Sequence, residues 1–223
     1  MLLKPRKRIT KQVLKEDKLV TYTFKINSYV RKNLRKIGYI VLGFSLIVFI
    51  TLSFYYSGKR SEANAMSDIG IAQLLYESGN IELAKNAFEE VIKNYKRTKG
   101  AGISVYYTGD CYYILGKFEE AKKYFQMYID DYGDNDILKS SAISGIAACF
   151  EEEGKYEQAA EYYKKSSEEF PDSFNAPRNL IDMARCYEII GMKEEAKNGY
   201  KKVIEKYSSS IYVREASIML DLL

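Results

Sequence analysis

The chain contains no histidine and no tryptophan, and only three prolines and three cysteines among 223 residues. Without histidine it lacks the commonest general base and the commonest metal ligand. It also lacks a glycine-rich phosphate loop and a nucleophile elbow. Two acidic runs, Glu151-Glu152-Glu153 and Asp130-Asp131, are candidate carboxylate sites. Neither has calcium-loop spacing, and both fall at expected helix ends, so solvated charge is the simpler reading. No catalytic residue, metal or cofactor is expected.

Ionisable acids and bases are missing altogether from Ile37 to Tyr56, where twelve of twenty residues are Leu, Ile, Val or Phe. About 20 helical residues span a bilayer core. At roughly −0.3 to −0.6 kcal/mol each, those twelve side chains favour the membrane by about 4–7 kcal/mol. Ser45, Thr51 and Ser53 can bond back to helix carbonyls, and Tyr39, Tyr55 and Tyr56 sit near the ends, where such rings prefer the interface. The stretch reads as a transmembrane helix over residues 37–57.

Charge orients it. Residues 1–36 carry twelve Lys or Arg against Glu16 and Asp17, a net of +10, whereas residues 61–223 come to −8. Basic flanks stay in the cytoplasm. Residues 1–36 are therefore read as a cytoplasmic tail, with the large C-terminal part on the far side, which in a bacterial inner membrane is the periplasm. An acidic domain argues against nucleic-acid binding. Ala63-Asn64-Ala65 has the form of a signal-peptide cleavage site, but the basic region is too long, the apolar run exceeds the usual 7–15 residues, and Lys59 and Arg60 intervene. Within the tail, Thr10 is a plausible N-cap for a helix over Lys11–Lys36, with Leu19, Tyr22, Ile26, Tyr29, Val30 and Leu34 at spacings of three and four. That helix either lies on an anionic leaflet, docks on a partner, or serves only to fix topology. Residues 58–66 read as a polar linker.

From residue 67 onward the chain repeats itself. Gly79, Gly116, Gly154 and Gly191 are spaced by 37, 38 and 37 residues. Five residues after each Gly comes Ala84, Ala121, Ala159 or Ala196, and four beyond that Phe88, Phe125, Tyr163 or Tyr200. An aromatic precedes each Gly (Tyr76, Tyr112, Phe150, Tyr187), and another ends each unit (Tyr95, Tyr132, Phe170, Tyr207). Such self-similarity marks stacked helical pairs. Each Gly suits a left-handed helix cap, each Ala lets the second helix approach the first, and each following aromatic fills the groove. Helices are expected to start near Ser67 and Ile81, Ala101 and Phe118, Ser140 and Tyr156, and Ala176 and Lys193. A lone helix over Ile211–Leu222 closes the stack.

The segments Leu75-Tyr76-Glu77-Ser78-Gly79-Asn80-Ile81-Glu82-Leu83-Ala84 and Tyr112-Tyr113-Ile114-Leu115-Gly116-Lys117-Phe118-Glu119-Glu120-Ala121 resemble the tetratricopeptide repeat, as do their counterparts ending in Ala159 and Ala196. The resemblance covers residues 67–223. It implies an all-α fold, a tetratricopeptide-type solenoid of four helix pairs plus a C-terminal capping helix, behind a single N-terminal transmembrane helix. The period exceeds the family's usual 34, and the inter-repeat proline survives only as Pro171. Longer units of this kind are similar to those of bacterial envelope proteins. The whole layout resembles the ancillary subunit of the SecYEG translocon.

That resemblance implies a non-enzymatic adaptor, chaperone-like, with proteins or peptides as partners, the translocon and exported chains among them. A structural scaffold for envelope assembly or division, acting through oligomers, is the alternative. Aligned on the repeats, Gln73, Tyr76, Tyr106, Asp110, Tyr113, Ala148, Glu151, Arg185 and Glu188 point to the concave, partner-binding face. Some of these tyrosines have a competing role in packing between neighbouring helices. Cys111, Cys149 and Cys186 occupy one equivalent position, five residues before the Gly. The family implies a small buried residue there, so structural thiols are expected, kept free by burial.

Overall fold

A computed structural model describes residues 18–133 and 135–223, and all regular structure among them is helical. The chain divides into two units between Ser57 and Gly58.

In the N-terminal unit, α1 (Lys18–Lys32) is followed by a turn at Asn33, and α2 (Leu34–Glu77) begins directly after it. The Asn33 side-chain amide donates to the Tyr29 carbonyl at 3.0 Å, competing for the backbone acceptor where α1 ends. The helix expected over Lys11–Lys36 is thus two helices, and its residues before Lys18 lie outside those described, as do the tail's first 17 residues altogether. No side chain between Ile37 and Tyr56 is buried. Phe44, Phe49 and Phe54 are each about two-thirds or more exposed. Among the described residues, α2 is the one helix long and apolar enough to cross a membrane.

The second unit holds the repeats. The first helix of each pair (helix A) is the C-terminal part of α2, then α4 (Lys99–Ile114), α6 (Asp136–Glu152) and α8 (Ala176–Ile189). The second (helix B) is α3 (Ile81–Asn94), α5 (Phe118–Met127), α7 (Tyr156–Glu169) and α9 (Lys193–Lys206), and α10 (Val213–Leu222) ends the chain. Every helix B starts on the expected residue. Helices α4 and α6 start two and four residues earlier than expected because a side chain caps each. The Thr98 hydroxyl accepts from the Ala101 amide, and the Asn135 side-chain oxygen accepts from Ile137 and Leu138. A five-residue π-helical turn, Tyr128–Tyr132, extends α5 in the one unit that is 38 residues long.

Each A helix ends alike. Gly79, Gly116, Gly154 and Gly191 have φ of 80, 71, 72 and 81°. The amide after each Gly returns to the carbonyl four residues before it (Leu75, Tyr112, Phe150 and Tyr187) at 2.8–2.9 Å. This is a Schellman closure, and only glycine adopts it without steric cost. Ala84, Ala121, Ala159 and Ala196 have no exposed surface, and Phe88, Phe125, Tyr163 and Tyr200 are at most 5 % exposed. Phe125 shows how tight the stack is. Its ring lies so close to Gly109 of its own repeat and Gly145 of the next that a Cβ on Gly145 would sit 2.6 Å from Cε2.

Residues 58–66 differ from the polar linker expected for them, being helical and part of α2. The cause is tertiary. The Glu62 carboxylate accepts the Lys99 and Gly100 amides at 2.9 and 3.1 Å, satisfying the N-terminus of α4. Ala65 is fully buried, and Gly100 admits it so closely that an added Cβ would lie 2.7 Å from that of Ala65. The first A helix therefore starts before Ser67.

Candidate protein-binding surface

Two of the positions expected on the inner face recur on helices A, three and six residues before the capping Gly. The first holds Tyr76, Tyr113, Glu151 and Glu188, and the second Gln73, Asp110, Ala148 and Arg185. The first position of one repeat meets the second position of the next. Tyr76 donates its hydroxyl to Asp110, and Arg185 donates to Glu151 at 2.7 Å. Between them, Tyr113 faces a repeat whose matching residue is Ala148, and its hydroxyl makes a long bond, 3.4 Å, to Glu152. Gln73 and Ala148 make no side-chain hydrogen bond among the described residues.

The same position also meets the helix-B aromatic of its own repeat. Tyr163 donates to Glu151 at 3.0 Å and Tyr200 to Glu188 at 3.3 Å. Repeats one and two place the tyrosine on helix A (Tyr76, Tyr113) and a phenylalanine on helix B (Phe88, Phe125). Repeats three and four reverse this, with glutamate on A and tyrosine on B. The inner face consequently changes character along its length, aromatic at the N-terminal end and charged at the other.

Tyr106 sits deeper than its neighbours. Its ring packs edge-on against Tyr107 at 5.4 Å and against Phe125 and Tyr128 at 5.7 and 6.1 Å. The packing role anticipated for some tyrosines is the one it fills, while retaining partial exposure. Tyr113, Tyr76, Glu151 and Arg185 are half-buried, and Glu188 is exposed.

Electrostatics follow burial. Asp110 lies above the ordinary carboxylate range because burial outweighs the hydrogen bond from Tyr76. Tyr113 is pushed up to about 12 by burial, then by the charge of Glu152. Every inner-face tyrosine with a shifted pKa is therefore a neutral hydrogen-bond donor at any physiological pH.

Two contributors escape a reading by repeat position. Asp182, buried, accepts Arg178 Nε at 2.9 Å and lies 3.1 Å from Arg185 Nη2. Glu152 takes the place opposite Tyr113 that the alignment assigns to Ala148. The first carried a visible signal, since Arg178, Asp182 and Arg185 are spaced four and three apart on one helix face. The cysteines contribute nothing to this surface. Cys111, Cys149 and Cys186 are free and fully buried, and burial pushes each thiol up to about 12. Among the described residues no cluster of His, Cys, Asp or Glu could hold a metal ion.

Family models of the tetratricopeptide repeat match residues 69–136 in one form, and residues 142–173 and 179–210 in another. The chain is a tetratricopeptide repeat protein. Among solved structures it is similar to TPR-like repeats from a Podosopora anserina chain described as a kinesin light chain. The TM-score is 0.55 at 14 % identity, covering 67 % of this chain and 77 % of that one. A second structure of those repeats gives 0.54 at 14 % identity, covering 67 % and 78 %. At that identity the likeness concerns the fold. No curated protein matches the sequence. Tetratricopeptide solenoids present helices A as a surface for other proteins, and proteins of this kind are typically binding scaffolds without enzymatic activity. The aromatic and charged residues of the inner face in this tetratricopeptide protein are of the types that anchor such contacts.

Proposed function

We propose that the protein is a single-pass inner-membrane adaptor whose repeat domain lies in the periplasm and binds polypeptide segments on its inner face, as an accessory of the protein export channel. The observation that carries the binding role is the run of half-buried Tyr76 on α2 and Tyr106 and Tyr113 on α4, leading into Glu151 and Arg185. Tyrosine offers large, rigid contact area with little entropy to lose, which suits segments of varied sequence. Support for the anchor is the exposed, uncharged stretch from Ile37 to Tyr56. The +10 flank before it supports the orientation.

A photo-reactive residue at Tyr113 tests the binding role, with crosslinking in growing cells expected to recover many exported chains and components of the channel. Recovery of only cytoplasmic proteins defeats it. An alkaline phosphatase fused after Leu223 tests topology, because its activity requires export. Protease added to spheroplasts should degrade the repeats, and protection there, with exposure in inside-out vesicles, reverses the orientation.

One observation favours the second reading, an envelope scaffold acting through oligomers. Ile71 and Leu74 are 59 % and 68 % exposed, whereas their equivalents Thr108 and Cys111, Ile146 and Cys149, and Met183 and Cys186 are all buried under the preceding repeat. The first repeat thus presents an uncovered helix face. Self-crosslinking through a cysteine at Leu74, with no exported chain caught at Tyr113, selects the scaffold.

A further inference from the structure

The two irregularities of the repeat domain's backbone flank the same groove. Arg97 is the one non-glycine residue among those described with left-handed backbone, φ 65°. Tyr128–Tyr132 is the one π-helical turn among them. Strained residues and π turns both concentrate at functional sites. Between the two lies an open groove of about 1410 Å³ at the edge where A helices begin and B helices end, away from the capping glycines. Ile92, Ile103, Ile129 and Leu138 form part of its lining.

Its charge runs against that of the domain. In a segment of net −8, the α3–α4 junction lines the groove with Lys93 at the end of α3, Lys96 and Arg97 in the loop, and Lys99 at the start of α4. None of the four forms an ion pair with an acid among the described residues. The equivalent stretches at residues 130–136, 168–174 and 205–211 contain a single basic residue between them, Lys206. The acids that share the groove are partly engaged. Glu89 accepts the hydroxyls of Tyr112 and Tyr124, and Asp130 accepts the Gln126 amide at 2.8 Å.

We propose that this groove is a second docking site, separate from the inner face, for an acidic amphipathic polypeptide segment. The apolar side chains of that segment seat on the isoleucines and Leu138, and its carboxylates face Lys96, Arg97 and Lys99. Arg97 offers a planar fork suited to a carboxylate. The opposite wall decides between a protein segment and an anionic lipid surface. Asp130 and Asp131 repel a uniformly anionic surface, whereas a segment with its acids on one flank avoids them.

The test uses the full-length protein in detergent micelles and a fluorescent synthetic helix with one leucine face and one glutamate face. A twin peptide carries lysine in place of glutamate. Fluorescence anisotropy should show binding of the glutamate peptide alone, weakening as salt rises. The double variant Lys96→Glu with Arg97→Glu should weaken that binding by at least about tenfold. Both residues are exposed, so folding should persist, as circular dichroism checks. The neutral pair Lys93→Gln with Lys99→Gln should give a smaller loss. Tyr113→Ala should leave the peptide's affinity unchanged, which separates this groove from the inner face. Equal binding of both peptides, or of neither, overturns the proposal, as does indifference to the charge reversal. Phosphatidylglycerol vesicles captured by the wild type and released by the variant, with the glutamate peptide unaffected, replace the protein partner with a lipid surface.

Discussion

At the scale of single residues, Asp110 is the most exacting member of the inner face. Its carboxylate is held between helices where burial raises its pKa despite the hydroxyl of Tyr76. A carboxyl with a raised folded pKa is destabilising where it is ionised and neutral in effect where both folded and unfolded forms are protonated. Asp110→Asn keeps an acceptor for Tyr76 and removes the buried charge. The variant should unfold at higher denaturant than the wild type at pH 7, and the gap should close as the pH falls below the ordinary aspartate range. Urea titrations at several pH values read this directly. A second residue-scale expectation concerns space rather than charge. Gly145→Ala sets a methyl group against the Phe125 ring at 2.6 Å, and overpacking of this kind costs about 1–3 kcal/mol. Chemical denaturation of the repeat domain measures the loss.

At the scale of elements, much of the architecture was legible because each helix is terminated locally. The Gly spacing places the C-termini of four A helices, and the residue two after each Gly starts helix B. Gly154→Ala therefore forces alanine into left-handed backbone at φ 72°, for about 1–2 kcal/mol. No side chain stands within 4 Å of the added methyl, so the cost is conformational alone and should show as a shifted unfolding midpoint with an unchanged m-value. What stayed illegible depends on partners far along the chain. The helix through residues 58–66 is fixed by Glu62 and Ala65 meeting Lys99 and Gly100, contacts some 35 or more residues away. The π turn at Tyr128–Tyr132 left one faint trace, a spacing of 38 where its neighbours have 37. The pairings of Tyr76 with Asp110 and of Glu151 with Arg185 follow the register of the repeats, but the partner of Tyr113 does not, because Glu152 reaches it from one position outside the register.

At the scale of the molecule, the repeat domain is a row of units in which each touches only its neighbours. Stability in such an array is a sum of unit and interface contributions, and opening starts at the ends. The matched cysteines turn this into something measurable. Cys111, Cys149 and Cys186 sit one to a repeat, each without exposed surface and each with its thiol pushed up to about 12. None can react with a labelling reagent until its repeat parts from the preceding one, so the natural sequence carries three built-in clocks, one at each interface of the array. Pulse labelling followed by mass spectrometry should find Cys149 slowest, since the interface that covers it is the middle one of three and opening starts at the ends. Equal rates at all three would mean that the repeats melt as one block, and any chain that docks across them would then be gripped or released all at once.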